Sequence, residues 1–229
     1  DRIGRDADAG YNRKSELSAA DLARLLKLGF IRRINAEDVR RTGFAFCVRE
    51  DKPEGTRRRF ILWPAQVNDE VRAAGYVPDV QLLRPFELLR QIFSGNVARC
   101  FDLKVSFWQG RLADAVQPWF SFRVGDEYFC MEVMPMGCVT APETLNKLCW
   151  ALAREALRRA GLSEQDVTIT VHIDNVRFLG QCDAVNRVAD AFLDVCRECN
   201  VSLNEEPTNA AHSQGHFLGI AWDYATKKV

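Results

Sequence analysis

Two aspartates lie in stretches of sequence that otherwise resemble the interior of a sheet. Asp102 is embedded in the apolar run Cys-Phe-Asp-Leu at 100–103, and Asp174 follows the alternating run Val-Thr-Ile-Thr-Val-His-Ile at 167–173. A carboxylate in apolar surroundings is costly unless it is paired or binds a cation. On two strands of one sheet, both acids could hold a pair of Mg²⁺ ions, which take oxygen ligands and assist phosphoryl transfer. Spacing alone leaves a purely structural role open for both.

The segment around Asp174 is predicted to be a β-hairpin. Its first strand runs from Val167 to Ile173 and its return strand from Val176 to Leu179, so the sequence predicts a two-residue turn at Asp174-Asn175. Asp-Asn is a good turn sequence in its own right. The chemical alternative is that Asp174 holds a metal ion over a substrate.

A second set of residues has the spacing of a zinc finger. Cys196, Cys199, His212 and His216 fit the pattern C-x2-C-x12-H-x3-H. Both cysteines, however, fall on the apolar face of a predicted helix. No helix is predicted between Cys199 and His212, and the usual aromatic residue of a finger is missing. The sequence therefore favours core thiols beside loop histidines over zinc binding.

The composition is that of a globular chain without a strong overall charge. Of the 229 residues, 47% are hydrophobic, and 31 basic residues balance 31 acidic ones. A strong nucleic-acid binder usually carries a basic excess, so any basic surface must be local, at 32–33, 40–41 or 57–59. No apolar run approaches the ~20 residues that span a bilayer, and no membrane association is expected. Eight scattered cysteines favour buried thiols and an intracellular, reducing compartment.

Helices and strands alternate irregularly along the chain, which favours the α+β class. Residues 1–16 are expected to form an arm, and a helix is predicted to begin at Ser18 and end at Gly29. Further helices are predicted after Pro85, from Pro142, and after the hairpin. The last of these has six inward positions, namely Val185, Val188, Ala189, Phe192, Cys196 and Cys199. Other strands are predicted at 44–48, 58–63, 98–105 and 216–223, and the strands predicted at 120–124 and 128–134 form a hairpin about Gly125-Asp126.

From about Leu17 to Asp223, the chain resembles the reverse transcriptases of retroelements and retroviruses. Six segments occur in the order of that family: GFIRRI (29–34) with FAFCVREDKPEGTRRRFILWPAQVN (44–68) for the fingers, FDLKVSFWQ (101–109) for the first palm motif, FRVGDEYFCMEVMPMGCVTAP (122–142) for the Pro-x-Gly segment, VHIDN (171–175) for Tyr-x-Asp-Asp, SLNEEP (202–207) for the last palm strand, and HFLGIAWD (216–223) for the primer-grip hairpin. One such segment would be weak, but six in order are specific.

The resemblance implies a right-hand polymerase fold within residues 17–229, with an antiparallel palm sheet backed by helices and no thumb. The fingers would cover about 17–97 and 111–134, and the palm about 98–110 and 135–223. Asp102 and Asp174 would be the catalytic ligands of two Mg²⁺ (or Mn²⁺) ions, with Asn175 beside them in the catalytic hairpin.

The resemblance also implies a nucleotide-binding set in the matched segments. Lys52 and Arg59 would contact the triphosphate of the incoming deoxynucleotide, as a point charge and a forked donor respectively. Phe107 would be the steric gate against a 2′-hydroxyl group, with an ordinary core aromatic as the alternative. Met136 and Gly137 would line the nucleotide and template floor. The implied partners are an RNA or DNA template–primer, and a partner protein or further domain that supplies a thumb.

Three residues depart from the pattern of the family. Asn175 replaces the second aspartate of the hairpin and removes one negative charge, while His172 replaces an aromatic residue. Pro207 stands where the family commonly has a lysine, a proposed general acid. The resemblance thus predicts the RNA-directed DNA polymerase of a retroelement, or of a host gene derived from one. The alternative is a weakened or inactive domain that serves as a protein- or RNA-binding scaffold.

Overall fold

The computed structural model describes residues 14–52, 55–80, 82–91, 93, 95–204 and 210–229. The chain divides into two compact units. The first comprises residues up to 78 together with 107–141, and the second comprises 79–106 together with 142–229. In the described ranges, no helix is both long and apolar enough to cross a membrane.

The first unit is built on two antiparallel three-stranded sheets. One has the strand order β1-β3-β4 and the other β2-β7-β6. The elements are β1 (Lys14–Ser15), α1 (Ala19–Lys27), β2 (Ile31–Ile34), β3 (Phe44–Lys52), β4 (Gly55–Trp63), α2 (Ala65–Ala73), β6 (Ser121–Val124) and β7 (Glu127–Met131). The predicted hairpin about Gly125-Asp126 is present, because β6 and β7 pair from Ser121 with Cys130 to Val124 with Glu127.

The start of α1 is fixed by its own sequence. The Ser18 side chain accepts a hydrogen bond from the backbone N–H of Asp21, and the Asp21 carboxylate accepts one from the backbone N–H of Ser18. Arg58 on β4 donates two further hydrogen bonds to the same carboxylate, at 2.7 and 3.2 Å, and these hold its pKa well below the usual range. Lys14 and Ser15, at the end of the arm predicted for residues 1–16, pair with β3; residues 1–13 lie outside the described ranges.

The second unit is built on one antiparallel sheet of order β5-β9-β8 and a separate hairpin. Its elements are α3 (Pro85–Gln91), β5 (Val97–Asp102), α4 (Ala141–Arg159, whose first residue belongs to the first unit), β8 (Val167–His172), β9 (Asn175–Gly180), α5 (Cys182–Glu198), β10 (Gln214–Phe217) and β11 (Ile220–Asp223).

The two faces of the β5-β9-β8 sheet are covered differently. On one face, Phe101 and Phe178 pack with Phe192 of α5, with ring centroids 5.0 to 6.0 Å apart. On the other face, Ala98 and Leu179 pack with apolar residues of the β10–β11 hairpin. Because side chains alternate along a strand, that second face also carries Cys100, Asp102, Asn175 and Arg177.

Three sequence predictions in this unit are corrected. The strand predicted at 98–105 ends at Asp102, since Val105 has a left-handed backbone angle that an extended strand does not permit. The strand predicted at 216–223 is a hairpin, with Leu218 and Gly219 in left-handed conformations at its turn. Cys199 is exposed and caps α5 instead of facing inward, because the helix has ended there.

Candidate functional site

The hairpin between β8 and β9 turns one residue earlier than its sequence predicts. His172 pairs with Asn175, so Ile173 and Asp174 are the two turn residues and Asn175 is the first residue of β9. The predicted turn at Asp174-Asn175 is therefore wrong by one position. The physical reason is the register, since Val171 and Val176 then pair and both are buried. Asp174 is left at the tip, and Asn175 lies within the sheet.

This register brings the predicted catalytic residues to one end of the sheet. Asp102, the last residue of β5, pairs directly with Asn175, the first residue of β9. Asn204 holds the Asp102 carboxylate, since its Nδ2 donates to Oδ2 at 2.7 Å and its backbone N–H donates to the Asp102 carbonyl at 2.8 Å. The Asp174 carbonyl accepts from the backbone N–H of Leu103 at 3.1 Å, which ties the turn to the end of β5.

The Asp174 carboxylate is oriented by two hydrogen bonds. Ser106 Oγ donates to Oδ2 at 2.7 Å, and Asn175 Nδ2 donates to Oδ1 at 3.1 Å. Ser106 is buried, and the residue before it, Val105, has a φ of 45°; Ile173, before Asp174, has a φ of 58°. Left-handed backbone is unfavourable for β-branched residues. Both partners of the Ser106–Asp174 hydrogen bond are thus presented by strained backbone, and such strain concentrates at functional sites.

The two carboxylates affect each other electrostatically. Partial desolvation raises the pKa of Asp102 above its usual value, and the negative charge of Asp174 raises it further, while the hydrogen bond from Asn204 opposes both. A cation between the two acids would relieve this repulsion. The available donors are carboxylate oxygens and the amide oxygen of Asn175, and such an oxygen-only set suits a hard divalent cation such as Mg²⁺. The pair therefore fits a metal ion by its charge and donor type.

No group of three or more His, Cys, Asp or Glu side chains is arranged as metal ligands in the part of the chain that the structure describes. The acidic site, which consists of Asp102, Asp174 and Asn175, thus has two carboxylates and a neutral amide. The four residues with zinc-finger spacing do not converge either. Cys196 is buried in the apolar face of α5 and Cys199 is exposed, while the backbone of His212 pairs with Ala98 of β5 and His216 lies on β10. Burial raises the pKa of the Cys196 thiol to about 12, which opposes the thiolate that zinc requires.

The predicted nucleotide-binding residues all lie in the first unit, whereas Asp102, Asp174 and Asn175 lie in the second. Arg59 projects from β4 and forms an ion pair with Glu50 of β3, with Nη2 3.2 Å from Oε1. A triphosphate at Arg59 would have to compete with that carboxylate. Lys52 is the last residue of β3, and its side chain is outside the described part of the structure. Pro207, the departure from the family lysine, also lies outside it.

Gly137 approaches protein backbone closely. A Cβ atom at this position would lie 2.3 Å from the carbonyl oxygen of Leu62, so no larger residue fits without a backbone shift. Asn68 of α2 fixes the same loop, because its Nδ2 donates to the Gly137 carbonyl and its Oδ1 accepts from the backbone N–H of Val139, both at 2.9 Å. Met136 is half-buried, as is Gly137 after it, while Pro135 before it is buried.

Phe107 lies in a short 3-10 turn, Ser106–Gln109, and is half-buried. The alternative of an ordinary core aromatic describes the next residue, Trp108, better than it describes Phe107. Trp108 packs on Phe30, with ring centroids 4.8 Å apart, and lies 6.3 Å from Phe60. Among the described residues, no aromatic ring stacks on Phe107.

Sequence reasoning missed the residues that support the site. Ser106 and Asn204 bind the two carboxylates, and Asn68 binds the Gly137 loop. Ser106 follows Asp102 by four residues, and Asn204 lies in the SLNEEP segment, so both stood within recognised segments. Nothing in the sequence says that polar residues so far from Asp174 or Asp102 along the chain will reach it.

The comparison with protein families is decisive. The family model described as "Reverse transcriptase (RNA-dependent DNA polymerase)" matches residues 62–222. The chain belongs to the reverse transcriptase family. At the level of the family, its members are RNA-directed DNA polymerases that use divalent metal ions. No curated protein sequence matches the chain.

Solved structures confirm the predicted fold. A foamy viral protease–reverse transcriptase in complex with double-stranded DNA is similar over 88% of this chain, with 17% identity and a TM-score of 0.65. The native protease–reverse transcriptase of prototype foamy virus matches over 88%, with 16% identity and a TM-score of 0.63. This chain spans 32% and 25% of those two chains, respectively. The α+β fold of reverse transcriptase fingers and palm is therefore shown.

Proposed function

We propose that this chain is the nucleotide-adding core of an RNA-directed DNA polymerase, from a retroelement or from a host gene derived from one. The observation that carries the proposal is the pairing of Asp102 with Asn175 beside the Asp174 turn. It places two carboxylates and an amide at one end of a sheet in a chain of the reverse transcriptase family. The proposed division stays fingers at about 17–97 and 111–134 and palm at about 98–110 and 135–223, so that most of the fingers fall in the first unit and most of the palm in the second.

The reaction would join a primer 3′-hydroxyl to the α-phosphate of a deoxynucleoside triphosphate and release pyrophosphate. Asp102 and Asp174 would hold divalent ions, Mg²⁺ or Mn²⁺. When bound, these ions would supply positive charge where negative charge develops on the reacting oxygens. Asn204 and Ser106 would keep the two carboxylates oriented, because each donates a 2.7 Å hydrogen bond to one carboxylate oxygen.

The remaining predicted residues take proposed roles in holding the incoming nucleotide. Lys52 and Arg59 would bind the triphosphate, Arg59 after giving up its pairing with Glu50. Phe107, which is half-buried and has no aromatic ring stacked on it among the described residues, would contact the sugar and exclude a 2′-hydroxyl group. Met136 and Gly137 would form the floor under the base, in the loop that Asn68 fixes. The template–primer would complete the site, and a further domain or a partner protein would supply a thumb. The protein would act in a reducing intracellular compartment.

The geometry of Asn175 gives specific support to the alternative of a weakened or inactive domain used as a scaffold. Its amide group donates to Asp174 Oδ1, whereas an aspartate at this position would accept metal or repel Asp174. The substitution thus removes a charge and occupies an oxygen of the remaining ligand. This arrangement favours weaker metal binding than two adjacent aspartates would give.

Primer extension on an RNA template with Mg²⁺ or Mn²⁺ tests both functions. We expect extension by the unaltered chain, loss of about a hundredfold or more in Asp174→Ala, and a gain in Asn175→Asp from the restored charge. Asp69→Ala, which removes an exposed carboxylate on α2, is the matched control and should extend normally. Silence of both the unaltered chain and Asn175→Asp, with a thumb-bearing chain supplied, would rule out catalysis and favour the scaffold.

A further inference from the structure

Arg177 is completely buried in the middle of the β5-β9-β8 sheet. It lies on β9, where it pairs with Cys100 of β5 and Thr170 of β8, and none of its surface is exposed. Arginine is almost never fully buried unless an acid pairs with it, because its charge cannot be removed by deprotonation. A buried guanidinium group at the centre of a sheet therefore requires an explanation.

The hydrogen-bond partners of this guanidinium group are neutral. Nη1 donates to the Tyr224 hydroxyl at 3.2 Å, and Nη2 donates to Gln91 Oε1 and, at 3.4 Å, to Thr170 Oγ1. Nε has no partner. Among the described residues, no carboxylate forms an ion pair with Arg177. Its charge must be stabilised in another way.

The β10–β11 hairpin supplies that stabilisation through two aromatic rings. The guanidinium carbon lies 4.5 Å from the centroid of Phe217 on β10 and 5.0 Å from that of Trp222 on β11. Tyr224, just after β11, stacks on Trp222 with the two ring planes 9° apart. Cation–π attraction is strongest when the cation is desolvated, as it is here. Both strands of the hairpin thus contact one buried cation.

The position of Arg177 connects this contact to the acidic site. Arg177 follows Asn175 by two residues on the same strand, so both side chains lie on the same face of the sheet. That face also carries Asp102, which pairs with Asn175. A cavity of about 600 Å³ lies against this face of the sheet. The residues that line the cavity include Asp102, Asn175, Phe217 and Tyr224. The hairpin therefore forms one wall of the space next to Asp102.

We propose that Arg177 is a positioning residue that clamps the 214–223 hairpin to the sheet face carrying Asp102 and Asn175. The clamp is one cation in contact with a ring from each strand of the hairpin. The resemblance to reverse transcriptases equates this hairpin with the primer grip of the family, so the expected consequence of the clamp is a fixed position for the end of the primer strand. This inference rests on the proposed polymerase function for its consequence, but the clamp itself can be measured without activity.

The clamp is tested by backbone amide hydrogen exchange in segment 214–223, with strand 167–172 as the internal reference. Arg177→Met removes the charge and keeps an unbranched chain, whereas Arg177→Lys keeps a cation under the rings. Thr170→Val removes the 3.4 Å hydrogen bond from Arg177 and the 2.9 Å hydrogen bond from Thr170 Oγ1 to Gln91 Oε1, and it leaves the cation and both rings, so it is the control for the neutral hydrogen bonds. If Arg177 merely fills volume, Met should serve at least as well as Lys, since apolar replacement of a buried charge is often neutral or stabilising.

We expect protection of segment 214–223 to fall about tenfold or more in Arg177→Met, and by less than about threefold in Arg177→Lys and Thr170→Val. Phe217→Leu removes the ring 4.5 Å from the guanidinium carbon, leaves the cation and the hydrogen bond from Trp222 Nε1 to the Phe217 carbonyl, and should loosen the same segment, so it tests the clamp even if Arg177→Met does not fold. Unchanged protection in Arg177→Met or Phe217→Leu, or better protection with Met than with Lys, would overturn the clamp.

Kinetics separates positioning from general damage. In Arg177→Met, we expect the KM for template–primer to rise about fivefold or more while the KM for the deoxynucleotide stays within about twofold. A loosened hairpin with an unchanged primer KM would overturn the positioning role. If the unaltered chain extends no primer, the proposed function fails, and the exchange data still decide whether the clamp exists.

Discussion

In and beside the acidic site, two residues have strained backbone angles that lower the stability of the fold and orient the Asp174 carboxylate. Val105 and Ile173 adopt left-handed backbone angles that cost β-branched residues about 1–2 kcal/mol each. The result is the alignment of Ser106 with Asp174. Asp102 is held by Asn204 near a second carboxylate, which raises its pKa. Under the proposed function these features would serve to receive a cation, and each can be examined by a single substitution.

At the residue scale, Asp102→Asn should stabilise the fold at neutral pH. The raised pKa means that folding disfavours the ionised form, so the unfavourable contribution is present above the pKa of the folded state and disappears as the pH falls below that of the unfolded state. Because Asp102 is exposed to solvent, we expect a gain of only a few tenths of a kcal/mol. Asparagine can still accept the hydrogen bond from Asn204.

Urea denaturation at pH 7 and pH 3 measures this effect as a difference in the free energy of unfolding. The gain in the free energy of unfolding should be present at pH 7. It should be absent at pH 3, where the aspartic acid of the unaltered chain and the asparagine of the variant are both neutral. Asp69→Asn, an exposed carboxylate on α2, is the control and should show no such gain. An Asp102→Asn protein that is less stable than the unaltered chain at pH 7 would contradict the electrostatic argument.

Between elements, polar side chains hold loops that have no regular pairing. The clearest case in the first unit is Asn68 on α2, which is 3% exposed and satisfies both a carbonyl and an N–H group of the Gly137 loop. In the second unit, Asn204 holds the end of β5, because its side chain donates to the Asp102 carboxylate and its backbone N–H donates to the Asp102 carbonyl. Loops near a reacting group need such support, because a shift of about 1 Å can reduce a rate a hundredfold.

At the element scale, Asn68→Ala should destabilise the protein by about 2–3 kcal/mol. The substitution leaves a backbone carbonyl and a backbone N–H group unsatisfied, and each lost bond to a buried group costs about 1–3 kcal/mol. The free energy of unfolding from urea denaturation measures the loss. Asn35→Ala, at an exposed residue with one 3.2 Å hydrogen bond, should change it by less than about 0.5 kcal/mol. Equal effects of the two substitutions would refute the proposed loop support.

For the whole molecule, the distribution of charge and of thiols is informative. With 31 basic and 31 acidic residues, the chain has no net charge to attract nucleic acid over a long range, so binding depends on local groups. All eight cysteines are free thiols. Cys182 and Cys199 are exposed, Cys100 is half-buried, and the rest are buried. Burial raises the pKa of Cys149 and Cys196 to about 12.

At this scale, we predict how the thiols react with a colorimetric thiol reagent without reductant. Two should react rapidly in the native protein, because only thiolates at accessible sites attack. All eight should react in denaturant. The variant Cys182→Ser should lose one rapid thiol, and Cys149→Ser, at a buried site, should lose none. Fewer than eight thiols in denaturant would indicate a disulfide and contradict the structure.

Local sequence determined much of this protein. The helix start at Ser18, the hairpin about Gly125-Asp126, the helix from Pro142 and five of the six inward positions of α5 follow from interactions within a few residues, and they were predicted correctly. The order of the motifs identified the family, which the match to residues 62–222 confirmed, and the foamy virus structures confirmed the fold. The chemical candidates Asp102 and Asp174 were also visible, as acids in apolar runs.

Only the tertiary structure decided how those candidates are arranged. The register that places Asn175 inside β9, opposite Asp102, depends on which buried side chains pair across strands about 70 residues apart in sequence. The hydrogen bonds from Ser106 and Asn204, and the contacts of the buried Arg177 cation with Phe217 and Trp222, likewise join distant segments. Sequence patterns report a residue's own periodicity and neighbours. Long-range contacts exist only once the strands and the hairpin have packed, so the support of the site could not be read in advance.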